Sequence, residues 1–275
     1  MKETAVAMRA SRISDLFERL RREKRRALSP YFIAGYPDMG SIGELILEAI
    51  HHGADMVEIG LPFSDPLADG PVIQKASQKA LAEGMNASRL FKLVRGLRKH
   101  FEAPIVVMSY VNPILQYGLP AFLRDAHEAG VDGLVVPDLT WEAGRRYHSA
   151  FQDGRIDLVP LVAPTSPAAR VKRIAAEAQG FLYLVSVTGV TGERKELPAD
   201  LREFVARIRK ATEKPICVGF GISTPEQARE VTRIADGAIV GSALVQRIAA
   251  SADSNAARVE VRNVVGAMRA AIDRT

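Results

Sequence analysis

Met56-Val57-Glu58-Ile59-Gly60-Leu61-Pro62-Phe63-Ser64-Asp65-Pro66-Leu67-Ala68-Asp69-Gly70-Pro71 contains a short apolar run, a stiff loop and the opening of a helix. The run 56–60 has strand character, glycines and prolines then stop it, and 72–81 continue with helix-type spacing. This strand–loop–helix unit recurs along the chain. Further β-like runs lie at 31–34, 105–109, 133–136, 158–162, 181–186, 216–219 and 238–240. Helical spacing marks 42–50, 90–97, 122–129, 143–151, 168–178, 201–211, 226–234 and 257–272. Strands that alternate with helices pair in parallel through right-handed crossovers. Eight such units in 275 residues predict an α/β fold, a single (β/α)8 TIM barrel, which typically needs about 250 residues. An open doubly wound sheet is the alternative. No linker or low-complexity tract interrupts the pattern, so 1–275 reads as one domain, with 1–28 as an N-terminal helix and basic extension.

The net charge of +5 sits in one place. Residues 1–30 carry nine Lys/Arg against four acids, and the other 245 residues hold 28 of each sign. Ile13, Leu16, Phe17 and Leu20 recur there at helical spacing, so the excess is read as the solvated back of an amphipathic helix. A nucleic-acid binder would spread basic residues over a folded face, and none is expected here. No run of about 18 apolar residues exists to span a membrane. Met1-Lys2-Glu3-Thr4 opens no apolar signal core, and the lone Cys217 fits a reducing compartment, so the expectation is cytoplasmic.

A carboxylate inside an apolar strand is costly unless it is paired or protonated. Glu58 is such a group, with Asp69 eleven positions later on a stiff loop. Two carboxyls in different environments suit proton transfer, one as acid and one, on a wetter loop, ionised. The bland alternative is a barrel-lining Glu satisfied by nearby hydroxyls. Barrel enzymes place their sites at the C-terminal strand ends. The turns Gly219-Phe220-Gly221-Ile222-Ser223 and Gly241-Ser242-Ala243 follow the seventh and eighth runs, where small residues let backbone N–H groups and a helix start hold a phosphate. The long Gly/Thr-rich loop 187–198 suits closure over a ligand. The five histidines lack metal-ligand spacing, and no metal is expected. No Lys occupies a clear strand end, which argues against Schiff-base chemistry.

Taken together, residues 58–71, Gly189-Val190-Thr191-Gly192 and the two glycine turns resemble the tryptophan synthase α subunit family over about residues 16–268. The resemblance implies retro-aldol cleavage of indole-3-glycerol phosphate to indole and D-glyceraldehyde 3-phosphate by a carbon–carbon lyase of tryptophan biosynthesis. It implies Glu58 as the proton shuttle and Asp69 as the acceptor of the indole N–H. Tyr31, Met108, Tyr110 and Phe220 would line the indole pocket, with Tyr183 near the site. Gly192, Gly221, Gly241 and Ser242 would hold the phosphate, and Gly189 and Thr191 would belong to the lid, Thr191 bonding Asp69. No cofactor is implied in this chain; pyridoxal phosphate is expected in a β-subunit partner within an α2β2 heterotetramer, docked in part through Ser64-Asp65-Pro66. The alternatives are a free-standing indole-releasing lyase and a non-catalytic phosphate-binding regulatory barrel. Two features depart from the family: a longer, more basic N-terminus, and Thr140-Trp141 where a Pro-rich turn is expected.

Overall fold

The computed structural model describes residues 11–185, 200–219 and 221–274. Its strands are β1 (Ala27–Ile33), β2 (Val57–Gly60), β3 (Ile105–Met108), β4 (Gly133–Val135), β5 (Asp157–Leu158), β6 (Leu161–Val162), β7 (Leu182–Val185), β8 (Ile216–Gly219) and β9 (Gly237–Val240). Thirteen helices accompany them among the described residues: α1 (Arg12–Arg22), α2 (Ile42–His51), α3 (Pro71–Ala82), α4 (Ala87–Leu97), α5 (Val111–Tyr117), α6 (Leu119–Ala129), α7 (Trp141–Gly144), α8 (His148–Asp153), α9 (Ala168–Glu177), α10 (Leu201–Arg209), α11 (Pro225–Thr232), α12 (Ser242–Ala250) and α13 (Ser254–Ile272).

Every strand pairing is parallel, in the order β5-β4-β3-β2-β1-β9-β8-β7-β6. The two ends of that order are consecutive in the chain, separated by Val159 and Pro160. Val159 N–H donates to Leu134 O (2.9 Å) and Tyr183 N–H to Pro160 O (3.0 Å), so one segment bonds to both neighbours and closes the ring. This excludes the open doubly wound sheet. The fifth strand, expected as a continuous run at 158–162, is instead two short pieces. Proline has no N–H for a ladder, and the break falls at Pro160.

The strands are buried because helices cover the outside and side chains fill the inside. Phe91, Tyr117 and Phe122 pack edge-to-face under α4, α5 and α6, with ring centroids 5.2–5.8 Å apart. Helix α1 opens with a capping box between Ser11 and Ser14 and buries Ile13, Leu16, Phe17 and Leu20. Ile13 meets Gly133 at the start of β4 and Gly180 before β7, and Phe17 meets Phe181 at 5.7 Å, so α1 closes the N-terminal end of the barrel. Arg12, Arg19, Arg21 and Arg22 lie on its more exposed back, as the helical spacing requires.

Local signals in the sequence hold at most boundaries. Thr224 and Gln227 form a capping box with Pro225 in the first turn, and Gly130 ends α6 in the left-handed region at φ +98°. The helix expected at 143–151 differs: α7 stops at Gly144, a 3-10 turn spans Arg145–Tyr147, and α8 follows. Glycine inside a helix forfeits backbone entropy, which favours the break there. Thr140, one of the departures from the family pattern, caps α7 by accepting from Ala143 N–H at 3.3 Å.

Candidate active site

β2 carries Glu58 to the C-terminal half of the barrel, 2% exposed, between Tyr31 on β1 and Val106 on β3 in register. Tyr183, reaching in from β7, donates to Glu58 Oε2 at 3.5 Å. Among the described residues Oε1 has no partner. Burial without full pairing disfavours the charged form. Burial raises the Glu58 pKa to about 8; the Tyr183 hydrogen bond opposes the shift, and the nearby Asp69 adds to it.

Asp69 lies on the loop after β2, where its N–H bonds Pro66 O (3.2 Å) and its carbonyl accepts from Gln74 Nε2 (2.8 Å) on α3. The Tyr110 hydroxyl donates to the Asp69 carboxylate and accepts from Ala68 N–H at 3.1 Å, tying the loop to the end of β3. Phe63 packs on the Tyr110 ring at 5.5 Å. The wetter loop expected for Asp69 is not what the structure shows. Asp69 is 5% exposed, its loop tied to Tyr110 and Gln74, and burial raises its pKa to about 6 against the opposing Tyr110 bond. Its charge at neutral pH survives, but by a smaller margin than on an exposed loop.

The remaining expected residues fall into three groups. Tyr31, Met108, Tyr110 and Tyr183 are all buried on strands or just beyond their ends; Tyr183 and Tyr110 bond Glu58 and Asp69, Tyr31 pairs in register with Glu58, and Met108 with Gly60. Gly221, Gly241 and Ser242 follow β8 and β9. Gly221 has φ +82°, which a side chain rarely tolerates. Gly241 precedes α12, which no side chain of the described residues caps. At α11, by contrast, Gln227 Oε1 accepts from both Ser223 and Thr224 N–H groups (2.8 and 3.2 Å). The open helix start is therefore that of α12. Phe220, Gly189, Thr191 and Gly192 lie outside the described residues.

Sequence reasoning missed the roles of two glycines. A Cβ at Gly60 would stand 2.1 Å from the Tyr31 hydroxyl, and one at Gly219 would stand 2.3 Å from that of Tyr183. Neither glycine is a turn; each makes room for a phenol. The available signal was a tyrosine in one apolar run and a glycine late in the next. A separate recess of about 430 Å³ lies at the other end, beside α1 and α9. Its Arg21, Lys172 and Lys214 face Glu18 and Glu213, and it holds none of the candidate groups.

Known proteins share this architecture over most of its length. The family model described as "Tryptophan synthase alpha chain" matches residues 17–273. The tryptophan synthase alpha chain of Prochlorococcus marinus (strain NATL2A) is 48% identical over 243 residues, 88% of this chain and 90% of that one. That of Roseiflexus sp. (strain RS-1) is 50% identical over 239 residues, covering 86% and 92%. Among solved structures, tryptophan synthase subunit alpha from Legionella pneumophila str. Paris superposes with a TM-score of 0.90 at 36% identity, covering 97% of this chain and 100% of that one. A Mycobacterium tuberculosis tryptophan synthase structure gives 0.88 at 34%, covering 96% and 99%. With a closed parallel barrel and two buried carboxyls at its mouth, matched from residue 17 to 273, the chain belongs to the tryptophan synthase alpha chain family.

Proposed function

We propose that this enzyme of tryptophan biosynthesis is a carbon–carbon lyase that cleaves indole-3-glycerol phosphate to indole and D-glyceraldehyde 3-phosphate. The observation that carries the proposal is the pair of buried carboxyls held at different pKa values, about 8 for Glu58 and about 6 for Asp69. Near pH 7 one is a proton donor and the other an anion. The bond at indole C3 breaks only after that carbon is protonated. Glu58 delivers the proton, and its carboxylate then takes the proton of the glycerol hydroxyl beside the bond. The bond electrons return to the ring, the hydroxyl carbon becomes an aldehyde, and Glu58 ends protonated as it began. Asp69 accepts the indole N–H and stabilises the positive charge that spreads to nitrogen in the protonated ring. General acid–base help of this kind is typically worth about 10²–10⁴-fold in rate.

Tyr31, Met108, Tyr110 and Tyr183, with Phe220, form the wall of the indole pocket. Gly192, Gly221, Gly241 and Ser242 hold the phosphate. The uncapped start of α12 supports that assignment, because free first-turn N–H groups and the helix dipole favour an anion there. Gly189 and Thr191 act in the lid. The partner is a β subunit in a heterotetramer, with pyridoxal phosphate on the β side, and the complex is cytoplasmic. Among the described residues, no helix is long and apolar enough to cross a membrane.

The test is indole release from indole-3-glycerol phosphate by the purified chain, with and without a β subunit. Slow cleavage alone and much faster cleavage in the complex is the expected outcome. Rapid cleavage that a β subunit leaves unchanged would point to a free-standing lyase, and no cleavage in either condition would refute the reaction.

A further inference from the structure

Tyr31 and Tyr183 are set into the barrel by the same device, yet they end in different situations. Tyr31 on β1 pairs in register with Glu58 and leans over Gly60, two residues further along β2. Tyr183 on β7 pairs with Cys217 and leans over Gly219, again two residues further along β8. The Tyr183 hydroxyl is engaged with Glu58. The Tyr31 hydroxyl lies near Asp69, Glu58 and Tyr110 but makes no hydrogen bond to any described residue.

The Tyr31 side chain is 8% exposed, and its hydroxyl is free to donate to a ligand that enters the site. Burial first, then the nearby carboxyls, keeps this phenol protonated, its pKa well above the ordinary value. It therefore offers one fixed donor to the site. An indole ring has no acceptor for that donor, and in the reaction proposed above its N–H is held by Asp69. The register places Tyr31 beside Glu58, the group that takes the glycerol proton.

We propose that the Tyr31 hydroxyl donates to the oxygen of the substrate hydroxyl beside the cleaved bond, the oxygen that becomes the aldehyde carbonyl. This inference rests on the retro-aldol reading. During the step the hydroxyl proton passes to Glu58, the C–C electron pair returns to the indole ring, and Tyr31 keeps its own proton. Negative charge grows on that oxygen as its proton leaves, so a donor there is worth more in the transition state than in the bound substrate. Tyr31 is then a catalytic residue through its hydroxyl, not merely part of the aromatic wall.

The test is Tyr31→Phe, which keeps the ring over Gly60 and removes only the oxygen. With β subunit present, kcat is expected to fall about tenfold and KM to rise by a smaller, several-fold factor, the loss of one hydrogen bond that is stronger in the transition state than in the bound substrate. Binding is read separately in Glu58→Gln protein, which is expected to hold substrate without turnover. There, Tyr31→Phe should weaken indole-3-glycerol phosphate several-fold. It should leave the analogue with a plain propyl chain, lacking both hydroxyls, within about twofold. A kcat within about twofold of the parent, or equal weakening of both ligands, would overturn the assignment. Parent cleavage insensitive to Tyr31→Phe removes this inference alone. A parent chain that neither cleaves nor binds the substrate removes the reaction and this inference together.

Discussion

In the proposed reaction, Glu58 and Asp69 set a pH window. Glu58 must be protonated to donate, and it loses its proton as pH rises through about 8. Asp69 must be ionised to hold the indole N–H, and it is neutralised as pH falls through about 6. We expect kcat/KM to be bell-shaped, with its maximum midway between limbs near these two values, which belong to the pair as a coupled unit. Asp69→Asn should abolish turnover and Glu58→Gln should do the same. The stability effect has its own sign. Glu58 has a folded pKa above its unfolded one, so between about 4.5 and 8 the native state holds a proton the unfolded chain has lost, and stability falls with rising pH. Glu58→Gln is therefore expected to raise Tm at pH 8 by more than about 5 °C and to change it little at about pH 5, measured by calorimetry. The burial of this carboxyl was legible in the sequence, since it stands within the otherwise apolar run 56–59. The depth of Asp69 was not, because it follows from the Tyr110 and Gln74 contacts, which join separate elements.

Among the elements, a repeated ion pair stiffens the N-terminal end. Asp55, Asp132 and Asp236 each stand just before a strand and accept the N–H of a residue on the adjoining strand, Leu28, Ile105 and Ile216 (2.9, 2.8 and 2.8 Å). Each also meets two arginines: Asp55 meets Arg269 and Arg25, Asp132 meets Arg98 and Arg12, and Asp236 meets Arg209 and Arg26. One carboxylate thus satisfies a strand's opening amide and a partly or wholly buried guanidinium together. Asp132→Ala removes the shared acceptor of Ile105 N–H, Arg98 and Arg12 and leaves Arg98 without its counter-ion. A loss of about 3–5 kcal/mol in guanidinium unfolding is expected. Glu142→Ala, which breaks the exposed pair with Arg170, should cost less than about 1 kcal/mol. The repeat is visible in Ala54-Asp55, Val131-Asp132 and Ala235-Asp236, each an apolar residue and an aspartate at a strand entry. Periodicity alone does not find it, because the partners of Asp55 lie 27, 30 and 214 positions away. The same limit hid the division at Pro160: a Val-Pro step in an apolar run reads as strand until the neighbours it bonds are known.

For the whole molecule, the two ends of the barrel have separate tasks. Helix α1 and the ion pairs close one end, and the basic back of α1 is carried there, away from the carboxyl pair. The other end presents the loop that holds Asp69, and on it Leu67 is 80% exposed, near the exposed Asp65. Among the described residues Leu67 is the most exposed large apolar side chain, which suits a surface covered in a complex. Leu67→Lys should weaken β-subunit binding by more than about tenfold, a loss of about 1.4 kcal/mol, measured by calorimetric titration. Its Tm should be unchanged, since nothing in the core is touched. The end that gathers the two carboxyls and the glycine turns was readable from strand ends and glycines alone. How the other end is closed was not, because one amphipathic helix could have packed in many places.

The interrupted fifth strand gives the ring a parting line. No ladder joins β5 to β6, so the barrel consists of a five-strand piece, β1 to β5, and a four-strand piece, β6 to β9. These two pieces still meet along the β1–β9 ladder. A chain cut between Val159 and Pro160 would lose one covalent bond and no strand pairing. The first piece carries Glu58 and Asp69; the second carries Tyr183, Gly241 and Ser242. Neither piece alone would hold a complete set of groups, so restored turnover would report that the two had found each other, as a split reporter does.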